Sequence, residues 1–374
     1  MSKKFSNLVE KIKPSFTLQM TARAAELRAQ GEDVINFGVG EPDFNTPDHI
    51  IEAGKKAMVD GYTKYTPGSG MLELKEAIQT KLKDLTGINY NPENIIVSNG
   101  GKQSLSVVCQ ALFDSGDKVV VFSPYWVSFP EFVTIAGAEP LFVNTIPTKQ
   151  FEPDFDDLLN KIDESVKGVI INSPSNPTGG VWSDDAIIKL LKLSKENNWI
   201  VISDETYEEL VYDNEFKAIE TLDKHNCEII TIRSMSKTYA MTGWRIGYTT
   251  ADRDIVKAMS KIQGQTTSCP NAIGQRASIA ALETKSEWLP GLLKTATHNQ
   301  SLIKKTVDKI DGVELPVYPS AASMMVIDIS KHNANPQDVQ DKLLYENDIF
   351  VRAGNYVSER FGDNFIHRLM YECQ

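Results

Sequence analysis

Ser234-Met235-Ser236-Lys237-Thr238-Tyr239-Ala240-Met241-Thr242-Gly243-Trp244-Arg245 is the stretch that decides the fold. It comes after Ile229-Ile230-Thr231-Ile232, an apolar, β-branched run that reads as a buried strand. A lysine leaving such a strand end is partly desolvated, and burial lowers an amine's pKa toward that of a usable nucleophile. The hydroxyls of Ser234 and Ser236 precede it and Arg245 lies eight positions beyond, so an anion can be held beside the amine. By itself a lysine after a strand is usually a solvated loop residue. Its company decides.

On either side of this run, short apolar segments at 95–97, 119–122, 169–171, 200–202, 229–232 and 246–249 alternate with helical patterns. That alternation predicts an α/β fold with a mostly parallel sheet flanked by helices. One helix is predicted over 183–198, with Ser183 as its cap and Ile187, Leu190, Leu191 and Ser194 on one face. Another holds Met71, Leu74, Ile78, Leu82 and Leu85 on one stripe and stops at Gly87. Beyond residue 275 a long helical stretch leads to a β-flavoured segment at 322–329, then helix, strand and a final strand near Ile366. The expected division is an N-terminal segment, 1–45, packing with a C-terminal α+β unit, 276–374, around a large domain, 46–275.

The residues at the strand ends are more telling. Successive strands lead into Ser98-Asn99-Gly100-Gly101-Lys102, Ser123-Pro124-Tyr125-Trp126, Asn172 to Gly179, Ser203-Asp204-Glu205-Thr206-Tyr207 and the lysine run. In open α/β sheets ligands bind at the carboxyl ends of strands. Each cluster has a plain explanation: a tight turn at Gly100-Gly101, a packing aromatic at Trp126, an ordinary turn at Asn176-Pro177-Thr178-Gly179, a helix cap at Asp204, a surface charge at Arg245. Their occurrence in register on successive strands points to a site.

Composition narrows the classes. The chain has 374 residues, 41% of them hydrophobic, enough for one large domain and a smaller one. A formal net charge of −11 argues against nucleic acid or anionic membrane as partner. Met1-Ser2-Lys3-Lys4-Phe5 lacks the apolar core of a signal peptide, and the cytoplasm is the expected location. Cys109, Cys227, Cys269 and Cys373 are scattered, and neither they nor the five histidines have metal-ligand spacing, which argues against a zinc enzyme.

From 17 to 371 the chain resembles the class I and II aminotransferases, and within them the bacterial aspartate-aminotransferase-like subgroup. The resemblance is carried by Gly40-Glu41-Pro42-Asp43-Phe44, Tyr65-Thr66-Pro67-Gly68-Ser69-Gly70, Gly100-Gly101-Lys102-Gln103, Asn176-Pro177-Thr178-Gly179, Ser203 to Tyr207 and Ser234 to Arg245. It implies the pyridoxal-phosphate-dependent transferase fold type I, with a seven-stranded, mostly parallel sheet and a smaller α+β domain. It implies pyridoxal 5'-phosphate as cofactor, bound as an internal aldimine to Lys237, which then serves as general acid and base. Asp204 would pair with the pyridinium nitrogen and stay an anion, its pKa held down by that cation. Tyr207 and Asn176 would bond the ring's phenolic oxygen, and Trp126 would lie against its face. Gly100, Gly101, Ser234, Ser236 and Arg245 would hold the phosphate. Tyr65 would reach the phosphate of a neighbouring subunit, implying a homodimer with shared sites.

For the substrate, Arg368 resembles the arginine that grips the α-carboxylate, aided by Gly40 and Asn176. Lys102 would face the side-chain carboxylate of aspartate or glutamate; phosphate electrostatics or a solvated loop charge is its alternative role. The implied reaction is ping-pong transfer of an amino group from an L-amino acid to a 2-oxo acid. The alternatives are an aminotransferase for aromatic or other amino acids, a carbon–sulfur β-lyase on the same fold, and a cofactor-binding regulator without turnover. The pattern departs at Ser320-Ala321-Ala322-Ser323-Met324, where the family more often carries a glycine and an aromatic pair, so a wider substrate pocket is expected. Relatives also usually continue into another helix beyond the position of Gln374.

Overall fold

A computed structural model of the chain describes residues 4–14, 16–38, 40–212, 216–358 and 365–367. A short strand, β1 (Ile35–Asn36), precedes the main sheet. That sheet is built from β2 (Ile95–Ser98), β3 (Lys118–Ser123), β4 (Glu139–Ile146), β5 (Glu152–Pro153), β6 (Val166–Asn172), β7 (Ile200–Asp204), β8 (Glu228–Ser234) and β9 (Gly247–Thr250). Their lateral order is β2-β9-β8-β7-β6-β3-β4-β5. Neighbours from β8 to β4 run parallel, while β9 is antiparallel to both β2 and β8. Seven strands thus form the body of the sheet, and the two-residue β5 adds an antiparallel edge.

The central strands are mostly apolar because both faces of the sheet are covered. Along β3, Val119 and Val121 enter one core with Val108 and Met259, whereas Val120 and Phe122 enter another with Leu190 and Leu191. Helix Asp184–Glu196 lies on the second face, its first turn capped by Ser183 Oγ accepting from the Ala186 amide at 3.2 Å. Helix Leu72–Thr86 buries Leu74, Ile78 and Leu82 and stops at Gly87, which takes the left-handed φ of 72° that glycine adopts without strain. Five of the six apolar runs read from the sequence lie within a strand, and the sixth, 246–249, is shifted by one residue from β9 (Gly247–Thr250). The seventh long strand, β4, is not among them: its apolar residues are diluted by Pro140, Asn144 and Thr145. A proline at the second residue of a strand is tolerated because little ladder precedes it.

The C-terminal part contributes β10 (Val326–Asp328), β11 (Ile349–Phe350), β12 (Arg352–Ala353) and β13 (Phe365–His367). β10, β13 and β12 form an antiparallel sheet in that order, and β11 pairs in parallel with β1. The strand expected over 322–329 is shorter, because Ala322 adopts φ 60° and its amide turns to the Leu210 carbonyl at 2.7 Å. Only 326–328 is extended and paired.

Candidate active site

Because β2, β3, β6, β7 and β8 all point the same way, their carboxyl ends share one edge of the sheet. A cleft of about 400 Å³ opens there. Lys237, Asp204, Tyr207 and Asn176 line it, as do Lys102, Trp126 and Gly101. Ser234, Ser236, Arg245 and Gly40 also line it. Residues more than 190 positions apart in the chain therefore meet, as Lys237 Nζ donating to the Gly40 carbonyl illustrates.

Asp204, the last residue of β7, is 6% exposed. Burial pushes its carboxyl pKa up, opposed by hydrogen bonds from Thr206 and by the charge of Lys237. The Thr206 hydroxyl and amide donate to Oδ1 at 2.7 and 3.2 Å. The downward shift expected from the sequence presupposed a cation on the ring side; the protein's own groups yield the opposite direction. This carboxylate is therefore poised to gain from a buried positive partner.

Anion-binding groups gather at the other end. Helix Gly101–Leu112 begins without a side-chain cap, its N-terminus aimed at the cleft. Gly100 holds φ 85°, and a Cβ there would lie 2.3 Å from an Arg245 Nη. A Cβ on Gly247 would lie 2.4 Å from the Gly101 nitrogen, so both glycines let the helix start and the arginine close up. Arg245 itself sits at φ 56°, its Nη1 donating to Thr242 O at 2.8 Å. Ser234 and Ser236 share a hydroxyl hydrogen bond of 2.9 Å.

Lys102 stands over the Trp126 ring, which packs edge-on against Phe129 and Phe132. Burial, then the nearby charge of Arg245, lowers the lysine's pKa. Tyr65 does not line the cleft; the residue is 89% exposed on this chain. Arg368 lies outside the described residues.

Three residues of the site were not singled out from the sequence. Asn172 donates to the carbonyls of Asp204 and Pro174 at 3.0 and 3.2 Å and accepts from the Asn176 amide at 2.7 Å, binding two loops together. Thr206 orients Asp204, and Glu41 accepts from the Thr242 hydroxyl, fastening the Gly40 loop to the Arg245 loop. The one available signal was Asn172 four residues before Asn176, a spacing that side-chain-to-backbone turns use.

The chain is similar to known proteins in sequence and in fold. Residues 32–365 match the family described as "Aminotransferase class I and II", and the chain belongs to it. It is thus an enzyme of amino-group transfer, built on the same fold as solved aspartate aminotransferases. It is 40% identical over 311 residues to "Aspartate aminotransferase" of Bacillus subtilis, covering 83% of this chain and 79% of that one. It is 41% identical over 278 residues to "Aspartate/prephenate aminotransferase" of Thermus thermophilus, covering 74% and 71%. The structure of the Thermus thermophilus aspartate aminotransferase with maleate superposes with a TM-score of 0.90 at 35% identity, over 98% of this chain and 94% of that one.

Proposed function

We propose that this enzyme is a pyridoxal 5'-phosphate-dependent aminotransferase with aspartate or glutamate as preferred donor, working in two half-reactions on one cleft. The observation that carries the reading is the meeting of Lys237, the buried Asp204 and Lys102 there. The donor set suits the cofactor: a buried carboxylate for a ring cation, an uncapped helix N-terminus with Arg245 and two serine hydroxyls for a phosphate, and an indole for a ring face. Bound there, pyridoxal phosphate would supply the carbonyl that captures the amine and the electron sink for the carbanion.

Lys237 Nζ would take the proton from the donor's Cα, a role that its reach across the cleft to Gly40 supports. Asp204 would keep a proton on the ring nitrogen, and Tyr207 and Asn176 would bond the ring's phenolic oxygen. Arg368, with Gly40 and Asn176, would hold the α-carboxylate, and Lys102 the distal one. The exposed Tyr65 ring would serve the phosphate of a second copy, making a homodimer the working unit. In this reading 46–275 is the cofactor domain, and 276–374 with the segment 1–45 is the smaller unit that covers it. No helix among the described residues is long and apolar enough to cross a membrane. The workplace in this reading is the reducing cytoplasm, which the free thiols of Cys109, Cys227 and Cys269 suit.

A second reading, donors with apolar side chains, is favoured by a recess beside Lys237. Leu210, Leu292, Leu293, Ala296 and Ala322 line it. The test is the visible spectrum of the protein loaded with pyridoxal phosphate, before and after L-aspartate. Replacement of the yellow band by a near-ultraviolet one establishes the half-reaction with an acidic donor. A yellow band untouched by aspartate but bleached by an aromatic or aliphatic amino acid selects the second reading.

A further inference from the structure

The proposed chemistry uses one face of the strand ends. On the other, directly behind Asp204 and Tyr207, lies a buried ionic cluster that it leaves unused. Arg233, the penultimate residue of β8, is 1% exposed. Its Nη2 donates to Glu205 Oε2 at 2.5 Å and its Nε to Glu208 Oε2 at 2.6 Å. Glu220, from the turn Ile219–Leu222, accepts from Nη1 and Nη2 at 3.3 and 3.2 Å. Lys81, from helix Leu72–Thr86, meets Glu208 at 2.6 Å and also bonds Glu209.

Such a cluster is a poor way to gain stability, since buried ion pairs can often be replaced by apolar residues without loss. Its position explains it better. β7 and β8 pair as far as Asp204 opposite Ile232, and the Glu205 amide adds a bond to the Ile232 carbonyl at 2.9 Å. There the two chains leave the ladder. One turns through Thr206, Tyr207 and Glu208; the other runs through Ser234 and Ser236 to Lys237. The guanidinium fork spans this gap, bonding the residue after Asp204 and the residue after Tyr207 from the residue before Ser234. Burial pushes the Glu205 carboxyl up to about 8. For Glu208 burial is outweighed by Lys81 and Arg233, which hold its carboxyl below the usual value, so the bond to the loop is between full charges.

We infer that Arg233 is a positioning residue whose bidentate fork clamps the loop of Asp204 and Tyr207 to the strand end that carries Ser234, Ser236 and Lys237. The clamp is a property of the fold; its catalytic consequence rests on the roles proposed for Asp204, Tyr207 and Lys237. A lysine at 233 would keep the charge but not the two-armed geometry.

The test is Arg233→Lys, with Glu208→Gln as a milder second variant on which judgement falls if the first does not fold. Hydrogen–deuterium exchange is read on peptides spanning 204–210 and 234–240, without added cofactor. The expected result is faster exchange in both loops and unchanged exchange in 200–203 and 228–232. With it should come about tenfold weaker pyridoxal phosphate binding and about tenfold lower kcat for aspartate at unaltered KM, the scale of a small misplacement. Wild-type exchange in both loops overturns the clamp whatever the activity. Uniformly faster exchange along the chain also overturns it, because that marks a merely structural role. A wild-type protein that binds no pyridoxal phosphate refutes the functional reading instead, and exchange alone then judges the clamp.

Discussion

Lys102 holds its ammonium 5.1 Å above the centre of the Trp126 ring, on the first turn of the helix whose N-terminus faces the cleft. The indole thus sets where the cation stands, and burial leaves that cation partly stripped of water. A carboxylate entering the cleft gains from it. Lys102→Met is expected to raise the KM for aspartate about ten- to a hundredfold, the worth of one charge-assisted hydrogen bond. The same variant should handle alanine nearly as the wild type does. Steady-state kinetics with both donors checks this, and equal losses on both would assign Lys102 to the phosphate.

Lys237→Ala is expected to lower turnover by about 10²–10⁴-fold, the contribution of a positioned proton-transfer group. Pyridoxal phosphate should still bind, because Asp204, Arg245 and the helix start are untouched. Equilibrium dialysis beside a single-turnover assay separates the two, and turnover at the wild-type rate would remove Lys237 from its assigned role.

Asp204→Asn separates stability from function. Burial raises this carboxyl's pKa in the folded protein, so the native state binds its proton more tightly than the unfolded chain does. The carboxylate therefore costs nothing below the unfolded value of about 3.9, destabilises increasingly as pH rises from there to the raised folded value, and costs a constant amount above it. The cofactor-free asparagine variant should unfold at an equal or higher temperature than wild type at pH 8, with the difference vanishing near pH 4. Its half-reaction with aspartate should slow about a hundredfold or more, on the scale of losing a preorganised electrostatic partner. Thermal unfolding across pH, paired with stopped-flow absorbance, reads both. A variant less stable than wild type at pH 8 would contradict the sign.

Gly100→Ala forces a side chain into φ 85°, with its Cβ 2.3 Å from Arg245. Backbone strain of about 1–3 kcal/mol, that of a residue forced into a region open essentially to glycine alone, and displacement of the guanidinium should result together. Affinity for pyridoxal phosphate is expected to fall at least about tenfold, while pyridoxal lacking the phosphate binds as before. Titration with both compounds decides whether the Gly100 turn serves the phosphate.

Local sequence settled the repeating units. The runs at 119–122 and 229–232 read as buried strands, since their β-branched residues need cover on both faces. The stripe Leu74, Ile78 and Leu82 with Gly87 behind it marks a helix and its end, and both readings agree with the structure. The motif residues at strand ends were legible because parallel strands put all their carboxyl ends on one edge. Other features depend on contacts that no local pattern encodes. β4 is a strand because it is hydrogen-bonded to β3 over six residue pairs, despite Pro140 near its start. The upward push on Asp204 comes from how deeply the fold buries it, and the left-handed turn at Ala322 accompanies a hydrogen bond to Leu210. Arg233 was silent in the sequence for the same reason. A guanidinium's role depends on which carboxylates surround it, and Glu205, Glu208 and Glu220 face it only once the strands have twisted and paired.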